Sequence, residues 1–125
     1  MGGHELASVN LGDQRLNRRA RWLVEQCAAR PTASIPGACG DWANSKAAYR
    51  FFDNAKVTHA ALVAGPRPAC LERIRQEKLI LVVQDTTTFD YTHHPSVQGL
   101  GVIDSSQAVG LLVHTSLAAC LPQVG

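Results

Sequence analysis

With 125 residues, 46% of them hydrophobic, the chain has the size of one ordinary domain and enough apolar material for a compact core. Twelve Lys and Arg against ten Asp and Glu leave a net charge of +2, which excludes binding driven by bulk charge; any charged partner must be held by placement. The placement is uneven, with eight Lys/Arg against five Asp/Glu in residues 1–56 and four against five in residues 57–125. Met1–Glu5 offers no basic start and no apolar run, so neither a secretory leader nor a membrane span is expected, and the chain reads as cytoplasmic.

The first predicted element is a helix beginning after Asp13, whose side chain can accept from the free N–H groups of a first turn. At about 100° per residue, Arg15, Arg18, Arg19 and Trp22 share one face, and Leu16, Ala20, Leu23 and Cys27 another, expected to pack inward. Guanidinium groups suit bidentate phosphate contact, and an indole beside them can lie against sugar or base. Residues 31–40, Pro-Thr-Ala-Ser-Ile-Pro-Gly-Ala-Cys-Gly, read as a connecting loop. A second helix is expected between a cap at Asp41 and a stop near Asn54, with Lys46 and Arg50 four apart on one side. In it Ala47, Ala48 and Phe51 supply buried contacts; Tyr49 and Phe52 fit core or surface, the core reading being favoured over stacking. Thr58 starts a third helix that Gly65-Pro66-Arg67-Pro68 breaks, with continuation through residues 69–77 and Leu71 and Ile74 on one side.

The run Leu79-Ile80-Leu81-Val82-Val83 is continuously apolar and predicts a strand buried on both faces, followed by Asp85-Thr86-Thr87-Thr88 at its carboxyl end. A carboxylate there is costly unless bound, and strand ends of open sheets are where ligands and metals sit. A turn rich in Thr, His, Pro and Gly follows, in which His93-His94 reads as surface and not as a metal pair, and then a strand over Val109–Leu117. Cys27, Cys39, Cys70 and Cys120 are spaced too widely for a zinc knuckle or redox pair and are expected to be reduced and mostly buried.

Taken in order, Gly12-Asp13-x-Arg15, Ser34-Ile35-Pro36, Lys46-Ala47-Ala48-Tyr49-Arg50-Phe51, Asn54, Val57 and Asp85-Thr86-Thr87 resemble the N-terminal part of bacterial insertion-sequence DDE transposases of the Tn-five, cut-and-paste type, over residues 11 to 117. The resemblance implies an α+β chain: a small helical domain over residues 1–77 that binds double-stranded DNA at the transposon inverted repeats, then the first strands of an incomplete ribonuclease H-like sheet over residues 78–125. It places Arg15, Arg19 and Arg50 where the family contacts DNA, and Asp85 where it carries the first of three metal-binding carboxylates. It also implies Mg²⁺ or Mn²⁺ for the full-length family, dimerisation with full-length transposase and a nucleoid-associated location. Leu16 departs from the pattern, standing where some relatives have a second arginine.

Two-metal phosphodiester chemistry needs several carboxylates around two ions about 4 Å apart. Asp85 supplies one, whereas Asp90 and Asp104 follow in a turn and a Gly/Ser loop. The expectation is a truncated transposase able to bind DNA through Arg15, Arg18, Arg19, Trp22, Lys46 and Arg50, catalytically incompetent alone and weak for metal. Its tail, Ala118–Gly125, suggests a premature stop or frameshift. The alternatives are a metal-dependent nuclease that completes its site with another chain, and a non-DNA interaction domain.

Overall fold

The computed structural model describes residues 6–121. The expectations about Met1–Glu5, and the last four residues of the tail, Pro122–Gly125, lie outside the described residues. The chain divides between Arg75 and Gln76 into a helical unit and a sheet unit. No helix among the described residues is long and apolar enough to cross a membrane.

The helical unit holds α1 (Gln14–Ala29), α2 (Ile35–Cys39), α3 (Trp42–Phe52), α4 (His59–Ala64) and α5 (Pro66–Arg75). Each of the first four starts on a side-chain cap. Asp13 accepts from the Arg15 N–H, Ser34 from Gly37, Asp41 from Asn44 and Thr58 from Ala61. The helix α2 takes up Ile35–Cys39 within the loop expected over residues 31–40, and residues 31–34 remain irregular. Ser34 caps it, and Pro36 sits in its first turn, where a missing N–H costs nothing. Gly40 ends it at φ 83°, a left-handed conformation that favours glycine, with its N–H donating to Pro36 O. The helix α3 stops at Phe52 on Asp53, whose N–H donates to Tyr49 O at 3.0 Å; Asn54 forms the turn beyond.

Ala20 and Leu23 of α1, Ala38 and Cys39 of α2, and Ala48 and Phe51 of α3 are buried together with Val9 and Leu11. Ala48 is 0% exposed, so the helices approach closely at a residue with almost no side chain. Among the described residues two polar side chains are buried, Asn17 and Ser45, and both are bonded. Asn17 Oδ1 accepts from the Leu11 N–H at 2.8 Å, which fixes the entering segment to α1, and Ser45 Oγ donates to Asp41 O at 2.7 Å. Three expectations about packing are corrected. Cys27 is exposed, at the rim of an apolar hollow that it borders with Phe51, Phe52 and Leu62. Of the four free cysteines only Cys39 is buried, and Cys70 is half-buried. Tyr49 and Phe52, expected in the core, are 52% and 51% exposed, because Ser45, Ala48 and Phe51 already define the inner face of α3.

The sheet unit is antiparallel, in the order β1 (Ile80–Asp90), β3 (Val109–Cys120), β2 (Gly101–Val102). β1 and β3 pair along their whole lengths from Ile80↔Cys120 to Asp90↔Gly110. Gly110 is required there, since a Cβ would collide with the Phe89 carbonyl. The strand expected to be buried on both faces is exposed along almost all of its length, with Val82 at 58% and Val83 at 56%. An apolar run makes a strand able to accept cover on both sides, but cover comes from other layers. Asp85 is also not at a strand end. It sits in the middle of β1 opposite Thr115, and Thr86 and Thr87 continue the strand instead of shaping a turn.

Candidate nucleic-acid interface

The five arginines in and just after α1 have different roles. Arg21 donates to the carbonyls of Leu6 and Ala7 at 3.3 Å each, and Arg30 Nη1 donates to Ala38 O at 2.9 Å, so both brace the chain. Arg15 and Arg18 point to solvent. The Arg15 side chain is 85% exposed and meets Asp13 at 3.4 Å, an exposed pair that is weak and easily exchanged for a phosphate. Arg19 is half-buried: its guanidinium lies 5.2 Å from the centre of the Trp22 ring, and Nη1 donates to Asn44 Oδ1 of α3 at 3.3 Å. Trp22 in turn packs against the core, so it holds Arg19 from beneath and does not project freely.

Arg15 and Arg19 border a depression of about 390 Å³ whose opposite wall is Ala47, Arg50 and Asn54 of the α3 region, with Leu16 and Phe51 forming its apolar floor. Three arginines from two helices therefore border one depression. Lys46 is one turn before Arg50 and exposed, extending the positive surface along α3. Arg18 does not line the depression. Asp13, also at the edge, is held below the usual carboxylate range, first by the Arg15 backbone N–H and then by its guanidinium. The arrangement can hold an anionic backbone between two helices.

Asp41 fixes the start of α3. Its two carboxylate oxygens accept from the Asn44 N–H at 2.7 Å and Nδ2 at 2.8 Å, and these bonds hold its pKa below the usual range. A depressed carboxylate stabilises the fold above its unfolded-state pKa, and the contribution disappears as pH falls through the folded value. Asp41→Ala should therefore lower the melting temperature at pH 7, and the deficit should shrink at pH 3, while Asp41→Asn, still an acceptable cap, should stay nearer the parent. Thermal melts followed by circular dichroism check this; an equal deficit at both pH values would show that the charge of the cap contributes nothing.

In the sheet unit Asp85 is exposed, with Oδ1 accepting from the Thr86 N–H at 2.9 Å. Its face of the sheet is otherwise mostly apolar: Leu81, Val83 and Phe89 on β1, Leu111, Val113 and Leu117 on β3. The opposite face is more polar and carries the Thr86 Oγ1–His114 Nδ1 contact at 2.8 Å, so His114 and Asp85 do not share a side. Asp90 and Asp104 are committed to local turns with Thr92 and Ser106. Among the described residues no group of three His, Cys, Asp or Glu side chains could hold a metal ion.

One contributor is not evident from the sequence pattern: Asn44 joins the Asp41 cap to Arg19, and only the fold shows that link. Trp42, 77% exposed, precedes Lys46 by four residues and shares its face, a spacing the sequence already displays.

Residues 3–57 match a family model described as transposase DNA-binding. The match supports a transposase N-terminal region with a DNA-binding role, and it spans α1, α2, α3 and the contacts of Arg15, Arg19, Lys46 and Arg50. No curated protein matches the chain.

Proposed function

We propose that the chain is the N-terminal part of a cut-and-paste DDE transposase of the Tn-five type, that its helical unit binds the inverted repeats of a bacterial insertion element, and that Asp85 is the first metal-binding carboxylate of a ribonuclease H-like core. The observation that carries the DNA role is that Arg15 and Arg19 from α1 border one depression with Arg50 from α3, inside the span that matches transposase DNA-binding domains. The resemblance of Asp85-Thr86-Thr87, an antiparallel sheet and the mid-strand position of Asp85 on an apolar face support the second part. A hard cation such as Mg²⁺ suits a carboxylate oxygen but draws on several such ligands. One carboxylate does not make that site, so Asp85 by itself is expected to hold a metal ion only weakly.

Gel-shift titrations with duplex DNA at several salt concentrations test the DNA role. Tight, salt-sensitive binding supports it, and salt-independent or absent binding contradicts it. For Asp85, the 125-residue chain should neither nick nor join DNA with Mg²⁺ or Mn²⁺. Asp85→Asn should change stability by no more than about 0.5 kcal/mol, because the side chain is exposed. DNA affinity should be unchanged in the same variant. Metal-dependent cleavage abolished by Asp85→Asn would instead favour a nuclease completed by another chain.

A further inference from the structure

We propose that the exposed face of α3, with Trp42 at its first turn, reads base sequence, while the arginines of α1 hold the DNA backbone. The proposal rests on the DNA-binding reading above and gives a role to Trp42 and Tyr49, which that reading leaves unused. Trp42 is 77% exposed and Tyr49 is 52% exposed. They stand seven residues apart on α3, with Lys46 between them and Arg50 beside Tyr49, so all four share the side opposite the buried Ser45, Ala48 and Phe51. A single exposed apolar residue calls for no explanation. Two aromatics interleaved with two cations on one rigid helix face form a surface that is both apolar and positive, which suits nucleic acid. The acids of this helix lie at its ends, and both oxygens of Asp41 are engaged by Asn44.

The geometry separates two kinds of contact. Phosphates are alike at every step, so Arg15 and Arg19 can fix register without identifying bases. Sequence is read at base edges, where the major groove, about 12 Å wide, admits one helix. The helix α3 is roughly 16 Å long at 1.5 Å per residue, and the tight turn through Gly40 precedes it. Residues in the first turn of such a helix reach deepest. Trp42 occupies that position and offers an apolar surface, for which the thymine methyl is the matching feature of a base edge; Lys46, one turn on and outside the depression that Arg50 lines, matches guanine O6 and N7.

The test begins by selecting duplexes from a random library with the parent chain, then measuring affinity for the selected and a scrambled duplex across a salt series. Trp42→Ala should reduce the preference for the selected duplex about tenfold and leave the salt slope unchanged. Trp42→Phe, which keeps an apolar ring, should retain most of the preference. Replacing thymines by deoxyuridine one at a time should weaken the parent at one position and leave Trp42→Ala indifferent there. Because Trp42 is so exposed, its variants should melt like the parent. Parental preference in Trp42→Ala, or an equal loss on both duplexes, overturns the proposal while leaving the DNA-binding reading intact. If the parent binds no duplex in a salt-sensitive way, that reading fails and this one fails with it.

Discussion

Replacing Arg15 and Arg19 together with alanine should weaken DNA binding by about tenfold per arginine, the range of a hydrogen bond to a charged group. It should also flatten the plot of log affinity against log salt by about 0.9 for each phosphate left without its cation, roughly 1.8 in all. Both arginines line the same depression, and neither is tied to a backbone carbonyl as Arg21 and Arg30 are. Arg18→Ala should do less, since Arg18 faces solvent away from the depression. Trp22→Ala should weaken binding without changing the slope, and should also cost stability, because the ring packs on the core and supports Arg19. Affinity of the double variant equal to the parent at moderate salt would show that the face is wrongly assigned.

The largest effect on stability is expected at Phe51. It is 4% exposed in a unit whose core is assembled mainly from small residues, so few neighbours can move to fill the space. Phe51→Ala should cost about 3–5 kcal/mol, a large share of the roughly 5–15 kcal/mol that typically separates folded from unfolded domains. Phe52→Ala is the control. That ring is 51% exposed and touches Phe51 edge-to-face at 5.4 Å, a contact worth about 1 kcal/mol. Denaturant titration of both variants should show the helical unit of Phe51→Ala largely unfolded and that of Phe52→Ala near the parent. Equal losses would contradict the inner face assigned to α3.

The local signals are legible in the sequence and the long-range ones are not. Caps at Asp13, Asp41 and Thr58 follow from a side chain and the next few N–H groups, and all three form. The helix α2 is hidden by the glycines and prolines in and around it, although Ser34 as cap and Pro36 in the first turn are compatible with a helix. Asp85 lies mid-strand and not at a turn, although Asp and Thr favour turns, because Thr and Phe also favour strands and pairing with β3 decides between them. Burial of β1 depends on what covers the sheet, which no residue in the run encodes. The same limit applies to the arginines. Arg19 and Arg21 differ by two positions in one helix, yet one faces α3 and the other braces the entering chain, and only the folded path of residues 6–13 separates them.

The central claim, that α1 and α3 together grip duplex DNA, is tested most directly by titrating a selected duplex into isotope-labelled protein and following amide and side-chain resonances. The account predicts that the largest shifts fall on Arg15, Arg19, the Trp42 indole, Lys46 and Arg50, with the sheet unit nearly silent and the changes reversed by added salt. Shifts concentrated in β1 and β3, or spread evenly and insensitive to salt, would contradict it.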